Sequence, residues 1–384
     1  MHRPVLHRPA LTRIRQVCSS PRARAVVGVL ALLAVTTFAP DRDGAVAQPT
    51  ADGEDGGAGR NVAAASPAAR RTGDGAQDGP APPVGTRDSH PEVQHVLGLP
   101  PTASTSRGGP SAGSLEGGVP FPLQAEGAHF NPRRDARARY GTVELVQALL
   151  RAGAAVHARH GGELVVNDLS LISGGPIAHH GSHQGGRDVD VLFYTLTAEG
   201  EPRPSVGAPL DLAGRGVDFQ DLSVAADDVP VQLDVVRTWA FVEALLSDPD
   251  AWVQRMFVAR HLRQRLLRHG RRAGASRAVL RRFEQVACQP GYPHDDHFHI
   301  RVFCSVDDLA AGCRDSGPMP PWHRARLASA GATPRMAGPE RLRAPITTAA
   351  EARRAAGPMH PDVRAWLDAR DAWMRPPAGP GVCR

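Results

Sequence analysis

Residues 179–196 read HHGSHQGGRDVDVLFYTL, three histidines and two aspartates set against a run of apolar side chains. The second half, VDVLFYTL (189–196), has the length and the β-branched and aromatic content of a buried strand. The first half is a glycine-bearing loop that feeds it. Ligating and charged side chains at the mouth of a buried strand need partners, because an unpaired charge out of water is costly. The stretch therefore predicts a sheet and, at its end, a polar site.

Working outward, Thr142 opens a helical pattern through Val143, Val146, Leu149 and Leu150, and ELVVNDLS (163–170) reads as a second buried strand. Downstream, LDVVRTWAFVEALLSD (233–248) spaces its apolar residues as a helix does, and VQRMFVA (253–259) reads as a strand. Two short helical patterns follow at 262–269 and 276–287, and HFHIRVFC (297–304) is the last strand. Helices and strands alternate without a glycine-rich phosphate loop or a regular repeat. The expected class is α+β: a small, mainly antiparallel sheet with packed helices forming one catalytic domain.

The flanks have a different texture. An arginine-bearing start, an apolar stretch over 26–39 and the small residues Ala45-Val46-Ala47 are the three parts of an export signal, so 1–47 is read as a cleaved secretory leader. Its apolar stretch is short for a permanent span, and no later stretch looks transmembrane. Residues 48–100 are rich in Ala, Gly, Asp and Pro and are read as a disordered linker. The catalytic domain is placed at 101–316. A Pro/Ala/Arg-rich extension, 317–384, is expected to be a loosely packed tail tethered by Cys383.

All 45 basic Lys/Arg residues are arginine. The formal charge of +6 is concentrated in the leader, whose seven Arg and two Asp carry +5 of it, leaving +1 for the rest. A nucleic-acid partner is therefore not indicated. Of five cysteines, Cys18 departs with the leader and four remain, which allow three pairings. Cys304 and Cys313 follow the last strand closely, so a local bridge between them is expected, with Cys288 joined to Cys383 in an oxidising compartment.

Two polar clusters stand out: His180, His183, Asp188 and Asp190 in the opening stretch, and His294, His297 and His299 in HDDHFHIRV (294–302). With 17 histidines in 384 residues, an HxH pair alone carries little information. Strand geometry gives it force, since alternate side chains share a face, about 7 Å apart. His297 and His299 then point one way while Phe298 and Ile300 point the other, and Asp188 and Asp190 likewise share a face opposite Val189 and Val191. His183, Asp190 and His299 lie at the ends of apolar strands and make two nitrogen ligands and one oxygen ligand. Three protein ligands with one open position is the arrangement of catalytic zinc, and no CxxC pair is present to build a structural site. His297 is then placed to touch the attacking water or the substrate. Taken singly, His180 and His294 are equally read as hydrogen-bonding histidines, and Asp188 as a turn cap or a partner of the site.

These residues resemble a known family. HHGSHQGGRDVDV followed by HDDHFHIRVFC, with GSLEGGVPFP, NDLSLISGG and LDVVRTWAFVEALL in the same order, is similar to the penicillin-insensitive murein endopeptidases, within the zinc peptidases grouped with lysostaphin, the D-Ala-D-Ala metallopeptidases and hedgehog. The resemblance covers about 104–315. It implies a periplasmic enzyme that binds Zn2+ through His183, Asp190 and His299, with His297 as catalytic base or transition-state stabiliser and peptidoglycan as substrate. It also implies that His180 and His294 adjoin the site and that Asp234 stands where the family has an acidic residue of a second metal position. Three residues on, Arg237 replaces the histidine of some members, a departure that argues against a second zinc. The implied reaction is hydrolysis of the D-alanyl to meso-diaminopimelyl crosslink. A D,D-carboxypeptidase or D-Ala-D-Ala dipeptidase using the same metal chemistry is the alternative, and a catalytically silent zinc-containing cell-wall-binding module a second one.

Overall fold

The computed structural model describes residues 91–384 apart from 179, 292–293, 339–348, 375–378 and 384. The expected leader, most of the expected linker and His179 thus lie outside the described residues. The helices are α1 (Pro91–Leu97), α2 (Val143–His160), α3 (Val235–Ser247), α4 (Arg260–Arg272), α5 (Arg277–Val286), α6 (Val306–Ala311), α7 (Pro321–Ser329), α8 (Ala349–Ala355) and α9 (Pro361–Met374).

The main sheet is built from β1 (Gln124–Ala125), β2 (Ala128–Phe130), β3 (Leu164–Val166), β4 (Asp188–Leu192), β5 (Val253–Phe257), β6 (Ala287–Cys288) and β7 (His297–Val302). Their spatial order is β6-β5-β7-β4-β3-β2-β1. The pairs β5–β7, β7–β4, β4–β3 and β2–β1 are antiparallel, while β6–β5 and β3–β2 are parallel. The α+β class read from the sequence is what the chain adopts.

One face of the central strands is apolar. Val189, Val191, Phe298 and Ile300 are fully buried in a single core with Val146, Leu149 and Val156 of α2 and Phe241, Val242 and Leu245 of α3. Each buried aliphatic or aromatic side chain of this kind contributes about 1.5–3 kcal/mol of burial free energy, so this layer fixes the strands that carry the polar residues on their other face.

Four segments differ from the sequence reading. The run 189–196 is not one strand: β4 ends at Leu192, and Thr195–Thr197 pairs instead with Val229–Leu233 in a separate four-stranded sheet. Phe193 fills the bend, its ring edge-on to Phe298 at 4.8 Å. The chain is buried without interruption from Asp188 through Thr195, so hydrophobicity did not mark the break. The second strand is likewise shorter than 163–170, since β3 ends at Val166 and Asp168 lies beyond it. Within the stretch read as linker, α1 buries Val96 and is held by Gln147 Nε2 of α2, which donates to the Val96 and Leu99 carbonyls at 2.9 and 3.0 Å. The C-terminal extension, expected to be loosely packed, carries α7 to α9 and buries Leu327, Val363 and Trp373.

The four cysteines are paired as Cys304–Cys313 and Cys288–Cys383. The second bridge closes a separation of 95 residues and ties the chain's end to β6. Among the described residues no helix is long and apolar enough to cross a membrane.

Candidate metal centre

In the β4–β7 ladder His299 stands directly across from Asp190, and Arg301 across from Asp188. Alternation places all four on the face opposite the helical core. His183 reaches the same face from the loop before β4. Its φ of 68° is in the left-handed region, and His294, at 49°, is the other non-glycine residue with positive φ among the described residues. Such a backbone costs roughly 1–2 kcal/mol for a residue with a Cβ. Local bonds hold it for His183: the ring lies 2.7 Å from the Leu169 carbonyl through Nδ1, and the backbone N–H donates to Asp188 Oδ2 at 3.3 Å.

Three side-chain atoms converge. His299 Nδ1 lies 3.0 Å from Asp190 Oδ1 and 3.2 Å from His183 Nε2, and His183 Nε2 lies 3.5 Å from Asp190 Oδ1. Donors arranged tetrahedrally at zinc–ligand distances of about 2.0–2.1 Å stand roughly 3.3 Å from one another. The separations match that edge length. The opposite side of each ring is occupied: with His183 Nδ1–H given to Leu169 and His299 Nε2–H given to Asp188 Oδ1 at 3.0 Å, the facing nitrogens both present lone pairs. This is how a protein fixes the tautomer of a metal-binding histidine. The donor set, two imidazoles and a carboxylate, suits a divalent ion such as zinc.

His180 also faces the cluster. A nitrogen of His180, one of His183 and an oxygen of Asp190 lie within 4.8 Å of one another. His180 Nδ1 is 3.7 Å from Asp190 Oδ2, and its Nε2 is 3.0 Å from Asp168 Oδ2. Asp168 in turn pairs with Arg134. His297 stands beside the cluster, with Nε2 3.7 Å from Asp190 Oδ1 and Nδ1 2.7 Å from Asp296 Oδ1. The His294 ring centroid is 5.0 Å from that of His297 and 5.8 Å from that of His299.

Asp234 has a different place. It caps α3, accepting from the backbone N–H of Val236 and Arg237 at 3.1 and 3.0 Å, and pairs with the Arg237 guanidinium at 2.5 Å. Its carboxylate is spent on the helix end and the arginine, which departs from the secondary metal position considered above. Arg237, the departure noted in the sequence, is the residue that engages it.

Burial alone would raise the Asp188 carboxyl, but the Arg301 guanidinium at 2.6 Å and the His299 ring hold it far below the usual carboxylate range. Asp190 is held low in the same way, against burial, by His183 and His297. Burial opposes protonation of His299, and the Asp188 and Asp190 carboxylates outweigh it, raising this imidazole. For His297 the opposing carboxylates are Asp296 and Asp190, and they push it up to about 9. The cluster thus holds ionised oxygens at neutral pH, with His297 positioned to carry a proton.

The structure brings together His180, His183, Asp188, Asp190, His294, His297 and His299. The sequence reading did not single out Asp168, Arg134, Asp296 or Arg301. Arg301 was discoverable, because it continues the alternation of His297 and His299. Asp168 and Arg134 carry no local signal, since they join His180 from separate loops.

A family model described as penicillin-insensitive murein endopeptidase matches residues 106–325, more than half of the chain and all of the cluster just described. The chain belongs to this family. Curated relatives named penicillin-insensitive murein endopeptidase include one from Shigella boydii serotype 18 and one from Escherichia coli (strain 55989 / EAEC), each 28% identical over 223 residues, 58% of this chain and 73% of the relative. One from Escherichia coli O157:H7 is 29% identical over the same lengths. Membership of this penicillin-insensitive murein endopeptidase family makes the chain a peptidase of the cell-wall polymer, and the matched segment ends within α7, so α8 and α9 lie outside it.

Proposed function

We propose that the chain is an exported, zinc-dependent DD-endopeptidase that hydrolyses the D-alanyl to meso-diaminopimelyl crosslinks of peptidoglycan in the periplasm. The observation that carries this reading is the convergence of His183 Nε2, Asp190 Oδ1 and His299 Nδ1 at 3.0–3.5 Å, each histidine having its far nitrogen already bonded. These three residues would hold the metal, with His180 available on the same side. Zinc in such a site acidifies water and polarises the scissile carbonyl.

The other steps fall to this chain's own groups. Asp188, anchored by Arg301, keeps the His299 ring in its ligating orientation. Asp296 holds His297 through Nδ1, so Nε2 faces the cluster, where it holds a proton against the charge that develops, delivers it to the departing amine and recovers one from the water consumed. No side-chain nucleophile is acylated in this scheme. β-Lactams, which acylate a serine, therefore have no target here.

The test is mass spectrometry of crosslinked muropeptide dimers after incubation with the purified protein, with and without a chelator and with penicillin present. Dimers should become monomers in a reaction that the chelator stops, zinc restores and penicillin leaves unchanged. Release of only a terminal D-Ala would reassign the chain as a D,D-carboxypeptidase. Wall binding that survives the chelator, with no turnover on restoring zinc, would reassign it as a binding module.

A further inference from the structure

The loop that delivers His294, Asp296 and His297 is held from outside the family-matched segment. Asp295 is fully buried, and its carboxylate takes three donors from α9: Arg370 Nε at 2.9 Å, Arg370 Nη2, and Trp373 Nε1 at 2.8 Å. The other end of the loop is tied to the same element. Gln289 Nε2 donates to the Trp373 and Met374 carbonyls at 3.1 and 3.3 Å, its backbone exchanges bonds with Gly381 and Cys383 at 2.8 Å each, and the neighbouring Cys288 is bridged to Cys383. The loop backbone is pinned on its inner side by Ala259 and Leu210, whose N–H groups donate to the His294 and Asp295 carbonyls at 2.9 and 2.8 Å.

We propose that Arg370 and Trp373 are positioning residues for His297. A buried carboxylate must keep its charged partner, so Arg370 fixes where the Asp295 side chain sits. With Asp295 fixed, the adjoining Asp296 carboxylate is kept 2.7 Å from His297 Nδ1, and the left-handed turn at His294 is maintained. The extension thus acts through Asp295 as a brace behind the loop; neither α9 residue touches the converging donors or a reacting atom. The inference rests on His297 acting in hydrolysis.

The test uses the full chain with its disulfides intact, in three variants: Arg370→Gln, Arg370→Lys and Trp373→Phe. Arg370→Gln should lower kcat for dimer cleavage by about 10- to 100-fold, the scale on which misplacing a catalytic group acts, with KM within about twofold. Bound zinc should stay at the wild-type level, because the proposed ligands lie on β4, β7 and the loop before β4. Arg370→Lys should recover part of kcat. Trp373→Phe keeps the packing and loses one donor, so it should give a smaller loss in a protein that folds. Hydrogen exchange of peptides covering 290–298 should rise in all three, in the order Gln, Phe or Lys, wild type, with the β4 peptides unchanged. Wild-type kcat and wild-type exchange over 290–298 in Arg370→Lys and Trp373→Phe would overturn the proposal, as would equal loss of zinc and activity. If the wild-type chain itself cleaves no dimers, the reading of its function fails, and the exchange data still decide whether α9 braces the loop.

Discussion

Arg301 Nε sits 2.6 Å from Asp188 Oδ1, the same oxygen that lies 3.0 Å from His299 Nε2. Their opposition in the β4–β7 ladder makes this a product of strand register, one step along from Asp190 and His299. The arginine keeps Asp188 ionised, and the ionised carboxylate fixes the tautomer of His299.

Asp188→Asn should therefore weaken zinc binding by about 10- to 100-fold without removing a ligand, the usual scale for losing the hydrogen-bond partner of a metal-binding histidine. Competition with a chromophoric chelator measures it. An affinity equal to wild type would show that Asp188 does not orient His299.

His297 and His299 should separate in their effects. His297→Ala should retain zinc while losing dimer cleavage by about 100-fold or more, the contribution of a positioned acid–base group. His299→Ala and His183→Ala should lose both zinc and activity. Metal analysis alongside turnover decides it, and equal zinc loss at 297 and 299 would contradict the assigned roles.

Much of this site was legible because β strands expose their chemistry by alternation. Asp188 with Asp190, and His297 with His299, each had to share a face, and the apolar residues between them named the face that is buried. Pairing of the two strands was not legible, so the match of Asp188 with Arg301 emerged only from the register. His180 was seen, but not its bond to Asp168, which depends on how two loops meet. The brace from α9 was hidden for a similar reason: DVRAWLDARDAW shows amphipathic spacing, while the target of Arg370 lies 75 positions away in sequence. For Asp234 the sequence showed the departure at Arg237, but not that the carboxylate caps α3 and pairs with that arginine, which depends on where the helix starts.

Zinc binding should strengthen as pH rises. Asp188 and Asp190 raise the His299 imidazole above its usual value, and a proton on Nδ1 competes with the metal for the same lone pair. Below that raised value, affinity should fall by about tenfold per pH unit for this one proton. Protonated His299 also stabilises the chelated protein: its share is fully present below the unfolded imidazole value, about 6.5, and is lost as pH rises through the folded one. The His297 shift acts with the same sign, up to about 9. The gap in Tm between zinc-loaded and chelator-treated protein should accordingly widen from pH 5.5 to pH 8, and a gap independent of pH would count against a proton and zinc sharing this site.

Glu144, in the first turn of α2, supplies a stability prediction remote from the cluster. Its Oε1 is buried without a hydrogen-bond partner, and burial, aided by the nearby Asp308 carboxylate, raises it to about 7. A carboxyl raised in the folded state binds more protons there than in the unfolded chain between its unfolded value and about 7, so stability falls as pH climbs through that window. Glu144→Gln removes the ionisation. The variant should match wild type near pH 4.5 and exceed it by about 1–3 kcal/mol at pH 8, the lower part of that range reflecting partial solvent screening. Urea unfolding at the two pH values, disulfides intact, measures the difference. Parallel pH profiles for the two proteins would show that Glu144 ionises in the folded state as it does in the unfolded one.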